Sequence, residues 1–159
     1  MNPEPAHTHD DITPVLEQAL SDILEKSAFM FSEKVDGQMP DFGDAPCACV
    51  SIRFDGPVHG ILHLASPSSF GIQVAANTLG EDSATIPTDQ AADAMKELLN
   101  VICGKFLELY SGTSAIYNLS IPTLTTMTPA EVLVLARSPG SAVFMVDDAP
   151  VLVHGEITS

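Results

Sequence analysis

Positive charge is scarce in this chain: 6 Lys and Arg residues stand against 21 Asp and Glu, for a net charge of −15. That balance has the wrong sign for following nucleic-acid phosphates or anionic lipid, so neither is an expected partner. Long apolar runs are missing as well. No stretch of about 18 apolar residues exists, and Met1 to Asp11 lacks the basic start and apolar segment of a secretory signal, so a cytoplasmic protein is expected. Cysteine is sparse and odd in number. Cys47, Cys49 and Cys103 make no disulfide framework and read as reduced thiols.

What is present suits one domain. A chain of 159 residues can bury about 70% of its unfolded surface without a covalent or metal staple. Residues 1–11 carry prolines, acids and two histidines without apolar periodicity and read as a disordered tail ahead of a domain spanning 12–159. His7 and His9 lie on that tail, where nothing holds them in ligand geometry.

The chain is organised around Thr88 to Tyr110, whose pattern predicts a long helix. Thr88 or Asp89 is the expected N-cap, Asp89 and Asp93 sit near the positive end, and Ser111-Gly112 closes the run. At about 100° per residue Met95, Leu98, Leu99, Ile102, Phe106 and Leu109 share one apolar arc, the expected buried face. Asp93, Glu97, Asn100 and Gly104 share the opposite face at spacings of four, three and four residues. Asparagine and glycine there cost helix propensity, about 1 kcal/mol for glycine against alanine. A short amide and a bare backbone therefore call for a reason beyond helix stability. An amide both donates and accepts hydrogen bonds and can aim a water, whereas a carboxylate accepts bonds or pairs with a cation.

The spacing Asp93-x-x-x-Glu97-x-x-Asn100, with Gly104 following, resembles the signature of the CheC/CheX/FliY phosphatases of bacterial chemotaxis. Other segments share the likeness. Phe54-Asp-Gly56-Pro-Val-His-Gly60-Ile-Leu-His-Leu64 is similar to the family's glycine-punctuated hairpin, and Ser120-Ile-Pro122-Thr123 is similar to its S-x-P-T segment. The resemblance implies a single CheX-like phosphatase domain that hydrolyses the phosphoaspartate of a CheY-type response regulator. Glu97 would dock the regulator's lysine and Asn100 would orient the attacking water. Asp93 and Gly104 would serve partner binding. It also implies a homodimer, no cofactor bound by this chain, and Mg²⁺ on the partner receiver domain. A second motif copy on the first helix, as in CheC, would fall at Ser21 to Ala28, where Glu25 is in place but Ala28 replaces the amide.

Read in order, Thr13-Pro14 opens a first amphipathic helix reaching about Glu33. Gly37 to Pro46 reads as a loop, and Cys47 to Phe54 with Val58 to Ala65 as a hairpin. A short helix from Ser66-Pro67 closes at Gly80. Strands are expected over Ala115 to Ser120, Val132 to Arg137, Ser141 to Val146 and Val151 to Thr158. The class is α+β, helices on a mainly antiparallel, CheC-like sheet in the order α-β-β-α-α-β-β-β-β, with a β-rich C-terminus offering edges to another copy. His59 and His63, four residues apart on one strand face and close to the Cys47-x-Cys49 pair, invite a zinc reading. The cysteines are too close together for a four-ligand spacing, and a half-exposed sheet face accounts for the pattern, so no metal site is expected. No nucleophile elbow or P-loop string occurs. A non-catalytic module that docks a receiver or serves as a flagellar-switch scaffold is the alternative, because fold does not fix activity.

Overall fold

In the computed structural model, which describes residues 12–158, α1 (Ile12–Ile23) runs into a π-helical turn over Leu24–Ala28. Strand β1 (Ser32–Lys34), the β2 (Cys47–Asp55) and β3 (His59–Ser66) hairpin, α2 (Ser68–Leu79) and α3 (Thr88–Ser111) follow. The chain finishes with β4 (Asn118–Leu119), β5 (Thr123–Met127), α4 (Pro129–Ala136), β6 (Ser141–Val146) and β7 (Ala149–Thr158). The sheet runs β1-β6-β7-β3-β2-β4, with β5 also paired to β2, and every pairing is antiparallel. This is the expected α+β class.

Alternation along the strands separates two faces. Val50, Ile52, Phe54, Leu62, Leu64, Phe144 and Val153 point to one side, where they join Leu16 and Leu20 of α1, Phe70 of α2 and Leu99, Ile102 and Phe106 of α3 in the main core. The alternating members of the same strands, Cys47, Cys49, Ala65, Val143 and Leu152, pack on the other side with Phe42 and with Val132 and Ala136 of α4. Three helices thus cover one face and α4 covers part of the other.

The glycine pattern of the hairpin has a steric cause. A Cβ at Gly56 would come within 2.6 Å of the Ile116 carbonyl oxygen, and one at Gly60 would collide with the Glu156 carbonyl and the Phe54 ring. The edge beside β2 breaks at Ser120 to Pro122. There the Ser120 hydroxyl accepts the Arg53 N–H at 2.9 Å while the Ser120 N–H donates to the Arg53 carbonyl, also at 2.9 Å. The proline lacks the donor a continuous ladder would need.

Several sequence expectations are corrected. Val132 to Arg137 belongs to helix α4 and not to a strand. Its V-L-V-L-A run looks β-like, but Thr128 and Glu131 form a capping box, with bonds of 2.8 and 3.1 Å, and Pro129 stands in the first turn. Only Asn118–Leu119 of the segment Ala115 to Ser120 is strand, while Thr123–Met127, outside the expected strands, is β5. The first helix does not reach Glu33. It stops when Phe29 takes a left-handed conformation (φ 56°) and its N–H caps the Leu24 carbonyl, and the Ala28 carbonyl accepts from Asn77 at 2.9 Å. Met30 is then buried, and Ser32–Lys34 pairs with β6 as an edge strand. The sheet edges are β1 and β4/β5, whereas β6 and β7 at the C-terminus are interior. The expected 1–11 tail, with His7 and His9, lies outside the described residues.

Candidate functional site

The 24-residue helix α3 carries the candidate site. Its cap differs from the expected Thr88 or Asp89: Pro87 holds the N-cap position without a side-chain cap bond, and both residues fall within the first helical turn. At the other end the Gly112 N–H bonds the Glu108 carbonyl at 2.9 Å. Met95, Leu98, Leu99, Ile102 and Phe106 are buried as the apolar arc requires, together with Cys103 and Leu107. Leu109 is not; it is 40% exposed. The chain leaving the helix folds back on the Leu107 side, where Ser111 Oγ and the Tyr117 hydroxyl lie 2.6 Å apart, and that side gains the cover instead. Burial pushes the Cys103 thiol up to about 12, so it stays a protonated packing group and supplies no nucleophile.

The opposite face is open. Asp93, Glu97 and Gly104 are exposed and Asn100 is half-buried. Glu97 and Asn100 are a single turn apart, and among the described residues neither side chain has a hydrogen-bond or ion-pair partner. Gly104 is helical, and a Cβ built on it meets no atom within 4 Å, so nothing inside this molecule requires glycine there. Two open grooves flank the face. One, about 270 Å³, is lined by Ile72, Ala92, Met95 and Leu124 among others and is mainly apolar. The other, about 420 Å³, runs along Gly104, Leu107 and Glu108 against Thr113, Tyr117 and Leu119. Lys96, one turn before Asn100 and half-buried, is about 40° from it around the helix; the sequence reading passes it over, although its spacing of four from Asn100 was the available signal.

The position of a second motif copy is spent on structure. Glu25 lies in the π-helical turn, where it accepts from Ser21 at 3.3 Å, and Ala28 is fully buried. On the far sheet face, His63 is 2.6 Å from Ser51 Oγ and stacks on His154 with ring centroids 5.9 Å apart. His154, only 2% exposed, is bonded in turn to Ser141 at 2.6 Å and Glu156 at 3.0 Å. His59 is paired with Asp55 at the hairpin end. Cys47 and Cys49 are buried, free and raised in pKa chiefly by burial. Among the described residues no group of three or more His, Cys, Asp or Glu is placed to hold a metal ion.

The family model for the chemotaxis phosphatase CheX matches residues 48–145, which spans β2 through most of β6 and the whole of α3. The chain belongs to the CheX family. Solved structures of that family and of its CheC and FliY relatives share the fold. The CheX chemotaxis protein of Desulfovibrio desulfuricans superposes with a TM-score of 0.66 at 16% identity, covering 92% of this chain and 98% of its own. The Borrelia burgdorferi protein, crystallised as a CheX–CheY complex with BeF3 and Mg²⁺, gives 0.63 at 18% identity over 94% and 99%. Thermotoga maritima FliY gives 0.58 at 12% identity over 100% and 91%. No curated protein matches the sequence. At these identities the superpositions establish the fold, and the family assignment rests on the sequence match. Among the described residues no helix is long and apolar enough to cross a membrane.

Proposed function

We propose that this protein hydrolyses the phosphoaspartate of a CheY-type receiver domain, using the outward face of α3. The observation that carries the reading is that Glu97, exposed, and Asn100, half-buried, stand one turn apart on α3 with side chains that have no partner among the described residues, in a member of a chemotaxis phosphatase family. A side chain already satisfied by its own protein would have to exchange that bond to engage a visitor; these two would not.

An acyl phosphate is reactive already, so the catalyst need only place a water in line with the bond to be broken. The Asn100 amide oxygen accepts a hydrogen bond through one water proton and holds the water oxygen towards phosphorus. Water oxygen bonds to phosphorus as the bond to the aspartate oxygen breaks, the receiver keeps a free carboxylate, and the water proton leaves with inorganic phosphate. A neutral amide is too weak a base to take that proton outright, so its contribution is aim. Glu97 pairs with a lysine of the receiver and fixes the approach, Asp93 extends the acidic rim, and the bare backbone at Gly104 lets the partner come close. Any Mg²⁺ at the phosphoryl group belongs to the receiver in this reading, with no cofactor bound by this chain. The same reading places the protein in the cytoplasm as a homodimer.

The test is phosphate release from a CheY-type receiver phosphorylated with acetyl phosphate or phosphoramidate. Wild type should shorten the lifetime of the phosphoaspartate, while Asn100→Ala should lose that effect and keep binding, and Glu97→Ala should weaken binding. A wild-type protein that binds the receiver without releasing phosphate would be a docking module instead.

A further inference from the structure

Resting on that reading, we propose that Lys96 is a further catalytic residue of the site, placing its ammonium on the phosphoryl oxygens while Asn100 aims the water. Lys96 precedes Asn100 by four residues on α3, which sets the two about 40° apart around the helix axis and one turn apart along it. Side chains at that spacing lie on one face of a helix, with about 5–6 Å between Cβ atoms, within reach of the lysine's four-carbon stem. The only other cation on α3, Lys105, falls about 140° from Asn100, on the other flank.

Charge makes the placement informative. Lys96 is one of 6 basic residues in a chain of net charge −15, and its immediate surroundings hold Asp93 and Glu97. Yet no described carboxylate lies within ion-pair distance of it. The residue is half-buried, and its ammonium has no ion-pair partner among the described residues. The receiver's Mg²⁺ offsets part of the phosphoryl charge in that reading, and Lys96 adds a cation from this chain's side of the contact, where the acidic face would otherwise repel the anionic group. As the transferring group loosens from the aspartate, charge spreads over its oxygens, and a lysine there stabilises that distribution.

The experiment compares wild type with Lys96→Gln and Lys96→Arg in phosphate release from a receiver phosphorylated with acetyl phosphate, and in binding to the same receiver with and without beryllofluoride. Lys96→Gln should lower kcat about tenfold, the loss of one charge-assisted contact on a half-exposed site, with KM changed by less than about threefold. Lys96→Arg should recover most of kcat. Lys96→Gln should also lose much of the preference for the beryllofluoride-bound receiver. An active wild type with kcat unchanged in Lys96→Gln, or with only a salt-dependent rise in KM, overturns the role of Lys96 and leaves the hydrolytic reading standing. A wild type without activity overturns both.

Discussion

Gly104→Ala separates what the fold wants from what the site wants. Position 104 is helical, and the added methyl meets nothing within 4 Å, so the substitution creates no clash inside the protein. Alanine is favoured over glycine in a helix interior by about 0.8–1 kcal/mol, because it gives up less backbone freedom on folding. For a domain of this size that gain corresponds to a rise of about 2–4 °C in Tm. The methyl, however, stands on the same face as Glu97 and Asn100. A partner that packs against the bare helix must retreat by roughly a C–C bond length, and a misplacement near 1 Å at a reacting centre costs up to about 100-fold. Urea or thermal unfolding should therefore show a more stable protein, while phosphate release shows kcat/KM lower by about tenfold or more. Unchanged kcat/KM would refute a role for the glycine in approach. Lost stability would refute the open helical environment from which the gain was worked.

Two further predictions concern the sheet. His63 is held below its ordinary pKa mainly by burial, with His154 and Arg53 adding to the effect and Glu156 opposing it. The unfolded chain therefore binds more protons than the folded one as pH falls through about 6.5, and the stability His63 permits at neutral pH is lost across that range. Stability of wild type relative to His63→Gln, measured by urea titration at several pH values, should rise with pH up to about 7 and level off above; a flat difference would refute the burial argument. The open edges at β1 and β5 leave room for a second copy, and light scattering at micromolar concentration should give twice the 16.8 kDa of one chain, a monomer mass counting against the dimer.

How legible each element was follows from how its burial is written in the chain. Helix α3 was plain because its apolar residues recur every three or four positions over 24 residues, and the β2–β3 hairpin was plain because alternation and the collisions waiting at Gly56 and Gly60 restrict it. Strand β5 was hidden: Thr123 to Thr126 are all exposed on an edge, so no side chain there records a buried face. Helix α4 was misread because β-branched and leucine residues fill it, and its T-P-A-E start carried the correct signal. The end of α1 depends on a left-handed phenylalanine and on an amide from α2, a tertiary bond no local pattern contains. The shared face of Asp93, Glu97, Asn100 and Gly104 needed only helical spacing. Whether that face would stay uncovered depended on where every other element packed.

The most direct measurement of the central claim is the lifetime of a receiver phosphoaspartate mixed with excess wild type or Asn100→Ala, alongside the affinity of each for the beryllofluoride-bound receiver. The account predicts fast decay with wild type, decay at the receiver's own rate with Asn100→Ala, and affinities for the two that agree within about threefold. Equal decay rates for the two proteins would contradict it.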